Sequence, residues 1–502
     1  MQLTSHKFFL PFLLILFFLG SYYYTFDPKI AQLGDNASYY MLGKALSQGE
    51  GYVNISKINK TPNNHYPPGY PAILGVVMLF SSDIITLKLL NGLFLLGSVL
   101  VLFALVNRLS SSHLLAFITA SAMLGNFHIQ QYSSLLMSEV PFMFFSLLCL
   151  LFISRSGSTD SLRDKNFWFA IALAVVSYYI RSLGIALIAG AVFYYLMEKH
   201  WRKAGATALA SFAGVLPWFL RSQHLGGGSY ARQLQLINPY RPELGTADFG
   251  DYLTRITENF SRYVSVEIPY SIFPGTRPDY TASGDTGSWI LGIAIIAITV
   301  YGIILLPKFR WLILGYLLST FGILMLWPDV WVGVRFMIPV IPLILTGLFF
   351  GLYTIFSRFF RQANKNFHPA WLVIPLLFMV APLGELHDQA RLPLHPAWQN
   401  YYAMAEWLRK NEKPDVVVSC GKPALFYLYS GTYTMRYAFE DEPDKLIRDL
   451  EEQQVDYVVL DQVYGNTMRY LLPAIKQYPE RFEQIVYAKN PDTFLLKFRR
   501  LN

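Results

Sequence analysis

Two carboxylates, three arginines and a proline-stiffened His-Tyr pair are the side chains here whose types and surroundings suit chemistry. Asp35 lies in Gly34-Asp35-Asn36-Ala37-Ser38-Tyr39-Tyr40, just beyond an apolar run from Phe8 to Tyr24. Glu139 lies in Ser138-Glu139-Val140-Pro141, inside a further apolar run. An ionised carboxylate in such a run is costly unless it meets a polar cavity or a partner. A carboxylate in a partly desolvated cavity can take the proton of an attacking hydroxyl whose own pKa is far above neutrality. Two acids reaching one membrane face from different segments would flank such a hydroxyl. Taken singly, each has a plainer role, Asp35 as a solvated loop acid and Glu139 as a side chain that reaches toward the interface.

The segment His65-Tyr66-Pro67-Pro68-Gly69-Tyr70-Pro71 holds His65 and Tyr66 against closely spaced prolines, which restrict the backbone before them. Arg181 sits in Tyr179-Ile180-Arg181-Ser182-Leu183-Gly184, Arg221 closes Pro217-Trp218-Phe219-Leu220-Arg221, and Arg335 opens Arg335-Phe336-Met337-Ile338-Pro339. A guanidinium holds a phosphodiester by paired hydrogen bonds, so arginines gathered at one interface would suit a lipid phosphate. Any one of them alone is an ordinary interface anchor.

The elements that must carry these residues are largely apolar. Of the 502 residues 53% are hydrophobic and only 15% charged, a balance that excludes an ordinary soluble globule. Candidate spans run from Phe8 to Tyr24, Ile84 to Val106, Leu114 to Phe127, Ser134 to Ile153, Phe167 to Ile180, Leu183 to Met197, Ala204 to Leu220, Trp289 to Leu306, Trp311 to Trp327, Phe336 to Phe356 and Trp371 to Leu383. The expected fold is thus a polytopic α-helical membrane protein of about eleven transmembrane helices with a C-terminal soluble α/β domain. Residues 1–384 form the membrane part and 385–502 the soluble domain. The piece from Tyr70 to Phe80 is expected to lie at the interface rather than to cross.

Arg181 to Gly184 divides two short spans. With that division, the connections holding Arg108, Arg155 and Arg163, Arg202 and Lys203, Lys308 and Arg310, and Arg358 and Arg361 share one face, as orientation by positive charge requires. The opposite, trans face receives loop 25–69, loop 221–287, the turn Pro328 to Gly333 and the C-terminal domain. The net charge of +8 is spread over short clusters between apolar segments, which argues for orientation in membrane lipids and against nucleic acid. Cys149 and Cys420 stand too far apart in the scheme for a disulfide, and no strong metal-ligand spacing is visible, which leaves a divalent cation open without named ligands. The C-terminal segment shows strand-like runs at Val416 to Val418, Tyr457 to Leu460, Gln484 to Tyr487 and Thr493 to Leu496 among helical stretches, with no glycine-rich phosphate loop after a strand.

The ordered set of pieces resembles the GT-C superfamily of polytopic glycosyltransferases, in particular the branch of protein O-mannosyltransferases and lipid A aminoarabinose transferases. The resemblance rests on Gly34-Asp35 after the first span, Tyr66-Pro67-Pro68 before the second, Ser138-Glu139 on the fourth, the Arg181 hinge, Pro217-Trp218 with Arg221, and Arg335-Phe336 with Ile338-Pro339 and Pro342. It implies transfer of a sugar, with inversion, from a polyprenyl-phosphate donor to a glycan, lipid or protein acceptor on the trans, periplasmic side of the plasma or inner membrane. Under it Asp35 is the base or acceptor-orienting acid and Glu139 the second acid. Arg181, Arg221, Arg335, Tyr66 and His65 are the donor-phosphate residues. The chain departs from the pattern at Asn36, where a second acid is common, and at Tyr66, where a basic residue is common. A carrier or flippase for a lipid-linked glycan is the competing expectation; it requires a polar path across the bilayer and often internal repeats, and the sequence shows no repeat.

Overall fold

The computed structural model describes residues 5–32, 34–226, 230–241, 244–275, 278–362 and 367–500. The chain divides into two compact units. The first comprises Met1–Pro28, Asn64–Tyr70 and Ile85–Ala390; the second comprises Lys29–Asn63, Pro71–Ile84 and Arg391–Asn502.

The first unit is helical, and its longest helices are apolar. Among the described residues five helices have the length and composition to cross a bilayer: Phe8–Thr25, Ile84–Ser110, Thr286–Ile304, Ile341–Arg361 and Pro369–Arg391. Shorter apolar helices include His113–Gly125, Lys165–Ile180, Gly184–Met197 and Arg310–Leu326. Leu89, Leu93, Phe169, Leu209, Phe212, Ile290, Ile293 and Leu318 turn outward, an arrangement that lipid accepts and water penalises. Together with the charge-poor composition, this makes the chain an integral membrane protein. Glycines let helices approach closely: a Cβ on Gly302 would stand 2.0 Å from the Gly347 carbonyl oxygen, and one on Gly190 2.6 Å from the Tyr316 Cα.

The expected span Ser134 to Ile153 begins later, as the helix Glu139–Arg155. Ahead of it stands the separate helix Phe127–Ser133, capped by the Asn126 side chain, and then a non-helical stretch. That stretch persists because Asn91, fully buried on the second span, donates through Nδ2 to the carbonyls of Leu135 (2.5 Å) and Met137 (3.1 Å). Carbonyls without helical partners would otherwise be expensive in a buried setting.

Loop 221–287 is largely structured. Asp248 and Asp251 form a reciprocal capping box that starts the helix Phe249–Arg262, which runs on into Tyr263–Glu267 and Ile268–Ile272. This helix is inverted relative to one on a soluble protein: Arg255, Asn259 and Arg262 are buried, while Phe249, Leu253, Ile256 and Phe260 are exposed. An amphipathic helix at a bilayer surface has this outward apolar stripe.

The second unit is built on a five-stranded mixed sheet. Its strands are β1 (Val417–Ser419), β2 (Tyr433–Met435), β3 (Tyr457–Leu460), β4 (Phe482–Ala488) and β5 (Thr493–Phe498), in the order β2-β1-β3-β5-β4. The first three run parallel, and β5 is antiparallel to β3 and β4. Alternate residues feed two cores. Val418, Tyr457, Val459 and Leu495 face the helices Pro396–Asn411 and Pro423–Ser430, whereas Val417, Val458, Leu460 and Leu496 face Pro443–Glu452 and Leu472–Gln477. Strand β2 and the helix Pro396–Asn411 were not legible in the sequence; β2 has only three residues and owes its conformation to β1.

The sequence groups loop 25–69 with the membrane part, whereas most of that loop packs into the second unit. Ile30 and Ala37 lie in the core with Tyr401, Leu425 and Phe426, and the Thr434 N–H donates to the Ser56 carbonyl at 2.8 Å. The helix Gly34–Ser47, which carries Asp35 in its first turn, is therefore held by the C-terminal segment. Enlarging the fully buried Ala37 to Leu should cost about 1–3 kcal/mol by overpacking. Hydrogen exchange of β1 and β3 should rise in Ala37→Leu while that of Leu87 to Val106 stays at the wild-type level; unchanged exchange in both regions would show that this loop does not share the sheet's core.

Candidate active site

Glu139 is wholly buried at the first turn of its helix, beside two arginines that come from distant segments. The Arg181 Nη1 stands 2.7 Å from Glu139 Oε1, and the Arg335 Nε 3.1 Å from the same oxygen. Arg181 also donates to the Ser138 hydroxyl at 3.0 Å. Arg181 enters here because the helix Lys165–Ile180 stops at it and the chain turns into Gly184–Met197. Gly184 is required at that hinge, since a Cβ there would lie 2.4 Å from the Tyr178 nitrogen.

Two guanidinium groups thus meet at one carboxylate oxygen. Each arginine is partly accessible, with side-chain exposures of 10% for Arg181 and 28% for Arg335, while Glu139 is at 0%. Its second oxygen, Oε2, accepts no hydrogen bond among the described residues. Tyr132, on the helix Phe127–Ser133, lies within electrostatic reach of Glu139, Arg335, Arg181 and Tyr280. Such a set suits an oxyanion rather than a metal cation, and among the described residues no three His, Cys, Asp or Glu side chains converge as metal ligands would.

Arg335 is placed by a buried polar stripe from loop 221–287. Asn259 donates to the carbonyls of Met325 (3.0 Å) and Trp327 (2.8 Å), and Arg262 donates to the Asp329 carbonyl at 2.8 Å and to Asn259 Oδ1 at 2.6 Å. Arg255 takes the carbonyls of Leu234 (2.8 Å), Leu236 and Ile237 (3.3 Å). Glu267, buried beside Arg262 at 3.3 Å, accepts the Gly333 N–H at 2.9 Å. Gly333 has φ +113°, open to glycine and strained for other residues, and it leads into the short turn that carries Arg335. The stripe was missed in the sequence, yet Arg255, Asn259 and Arg262 at spacings of four and three, opposite Phe249, Leu253, Ile256 and Phe260, are a readable signal of a helix with its polar side inward.

The other expected donor-phosphate residues come from separate segments. His65 packs edge-on against Tyr66 with ring centres 4.4 Å apart, lies 4.9 Å from the Tyr230 ring, and shares a 3.1 Å hydrogen bond with Gln233. Tyr230 meets Trp331 at 5.8 Å, which ties His65 to the turn before Arg335. Gly69 permits the proline segment to press on the backbone ahead of Arg181, since a Cβ there would stand 2.7 Å from the Tyr179 carbonyl. Arg221 lies on the helix Trp201–Leu225 with its guanidinium 5.1 Å from the Trp218 ring. Asp35 belongs to the second unit. A buried cation that sequence reasoning passed over is Lys88, whose Nζ donates to the Asp27 carbonyl at 2.7 Å; a lysine within an apolar run was its signal.

The fold recurs in solved structures. ArnT from Cupriavidus metallidurans, solved with undecaprenyl phosphate, aligns over 97% of this chain and 97% of its own with a TM-score of 0.60 and 14% identity. The Archaeoglobus fulgidus oligosaccharyltransferase, solved with a tethered acceptor peptide, aligns over 98% of this chain and 74% of its own, with a TM-score of 0.57 and 11% identity. This chain has the GT-C fold. No protein-family model and no curated protein matches it. At these identities the GT-C architecture is shared, and the chemistry must be argued from the residues themselves.

Within the GT-C frame, the Glu139 clamp yields a direct test. Glu139→Ala would strand two desolvated guanidinium groups and should cost about 3–5 kcal/mol, whereas Glu139→Gln, which keeps an oxygen acceptor, should cost less. Thermal melting of the detergent-solubilised chain would check the order; equal melting of wild type and Glu139→Ala would mean that the pair carries no such weight.

Proposed function

We propose that this chain is a membrane glycosyltransferase that moves a sugar from a polyprenyl-phosphate donor to an acceptor hydroxyl on the trans, periplasmic face, with about eleven spans and the C-terminal domain on that face. The observation that carries the reading is the convergence of Arg181 and Arg335 on buried Glu139, within a GT-C fold whose similar structures include one bound to undecaprenyl phosphate. A polyprenyl tail dissolves between apolar helices while its phosphate stays at their ends, where guanidinium groups hold it by charge-assisted hydrogen bonds.

In this scheme the acceptor oxygen attacks the anomeric carbon as the bond from that carbon to the phosphate oxygen breaks on the opposite face, so the configuration inverts. The bonding pair leaves with the phosphate, whose added charge Arg181, Arg335 and Arg221 stabilise; His65 and Tyr66 border it. The acceptor proton passes to the Asp35 carboxylate. A sugar hydroxyl is the kind of donor that would satisfy Glu139 Oε2, an otherwise costly buried acceptor. Glu139 thereby orients the donor rather than taking a proton, because its charge is committed to the arginines.

Radiolabelled polyprenyl-phosphate sugars offered to the purified full chain, with membrane extract as acceptor, test the scheme. Wild type should transfer one of them, and Asp35→Asn, equally folded, should be slower by about 100-fold or more. Equal rates would remove Asp35 from the mechanism. Movement of labelled lipid across the bilayer without transfer would instead make the chain a carrier.

A further inference from the structure

At the carboxyl ends of the parallel strands the second unit holds a group of residues that the transfer scheme does not use. After β1 the chain passes through Gly421 and Lys422 into the helix Pro423–Ser430, which covers one face of the sheet. After β3 it passes through Asp461 and Tyr464 toward the helix Leu472–Gln477, which covers the other. Neighbouring parallel strands whose following segments leave to opposite faces define a topological switch point, the place where open α/β sheets bind ligands. Arg436 follows β2 at the same end.

Two cations meet at this point over one ring. The Lys422 Nζ is 4.7 Å from the Tyr464 ring centre and the Arg436 Cζ is 5.7 Å from it, with the Phe439 ring 5.6 Å from Arg436 and 6.2 Å from Tyr464. Burial pushes the Lys422 ammonium below the usual lysine range; Arg436 adds to that, while Asp461 and Asp35 oppose it. Asp461 is not an ion-pair partner. Its oxygens accept the N–H groups of Val463 (2.9 Å) and Tyr464 (3.2 Å) and the Thr467 hydroxyl (3.3 Å). Among the described residues neither Lys422 nor Arg436 forms an ion pair, and the charge of Arg436 acts against that of Lys422, a repulsion that an anion between them would relieve. Gly421 keeps the two loops together, since a Cβ there would stand 3.1 Å from the Tyr464 Cβ.

We propose that Lys422 and Arg436 form a phosphate-binding site that anchors the acceptor, a clause that rests on the transferase reading. Two cations of different geometry fit a phosphate, which carries more oxygens and charge than a carboxylate. The start of the helix Pro423–Ser430 contributes its dipole to the same spot. Asp35 acts electrostatically on Lys422 and begins a helix of the same unit, so a phosphate held here would bring a neighbouring hydroxyl of its molecule toward the proposed base. The phosphate is either that of a water-soluble ester or that of a lipid headgroup.

Full-length protein in dodecyl maltoside micelles would be treated with an N-hydroxysuccinimide acetylating reagent and with phenylglyoxal, and Lys422 and Arg436 modification followed by peptide mass spectrometry. Inorganic pyrophosphate probes the soluble source, and phosphatidic acid mixed into the micelle probes the lipid source. Protection of both residues by about tenfold in either arm is expected and identifies the source. Protection should disappear at Arg436 in Lys422→Gln and at Lys422 in Arg436→Gln, so failure of one variant to fold leaves the other informative. Equal modification rates in both arms would overturn the site, as would protection that survives both substitutions. The readout needs no sugar transfer: a wild type that is protected but transfers nothing keeps the site and loses the acceptor clause. Where transfer is seen, both variants should raise the acceptor KM about tenfold with kcat near wild type and the donor KM unchanged.

Discussion

A carboxylate buried from water, with a guanidinium reaching it from 196 positions further along the chain, is the constraint around which the helical unit is arranged. Burying Glu139 would be prohibitive without Arg181 and Arg335, and burying either arginine in part would be costly without Glu139. Each partner therefore imposes a demand on its own segment. Glu139 needs a helix that begins at Ser138 rather than four residues earlier, Arg181 needs a helix break, and Arg335 needs a turn that approaches from the next polar loop. Asn91, Gly184 and Gly333 meet these demands one by one, through carbonyl capture, absence of a Cβ and positive φ.

The polar stripe of the helix Phe249–Arg262 shows the same economy at a second level. Irregular backbone near a membrane is stable only where its carbonyls find donors. Asn259 and Arg262 supply them to the segment Met325 to Asp329, so the chain can depart from helix just before Arg335. An outward row of Phe249, Leu253, Ile256 and Phe260 then costs nothing where lipid, not water, is the neighbour. One helix thus stabilises the turn that carries Arg335 and turns an apolar face outward.

The second unit assembles the proposed base and the C-terminal sheet into one body. Asp35 had looked like a loop residue next to the first span, and the C-terminal segment like a separate cap. Burial of Ile30 and Ala37 with Tyr401 and Phe426 joins them. The segment bearing the proposed base and the C-terminal sheet with its switch-point cations therefore belong to one body.

By itself the sequence determined the apolar helices, the α/β character of the C-terminal segment and the candidate acids and arginines, because hydropathy, strand periodicity and isolated charges in apolar runs are local properties. Tyr457 to Leu460 reads as a strand without help, and Glu139 announces itself by its apolar setting. Tertiary structure alone decided that Arg181 and Arg335 share one oxygen of Glu139, that Asn91 holds open the stretch before it, and that Asp35 belongs with Lys422. Each of these joins segments far apart in the chain, and where side chains meet, the free energy comes from removing both partners from water together. No window of sequence contains both partners, so no local pattern records it.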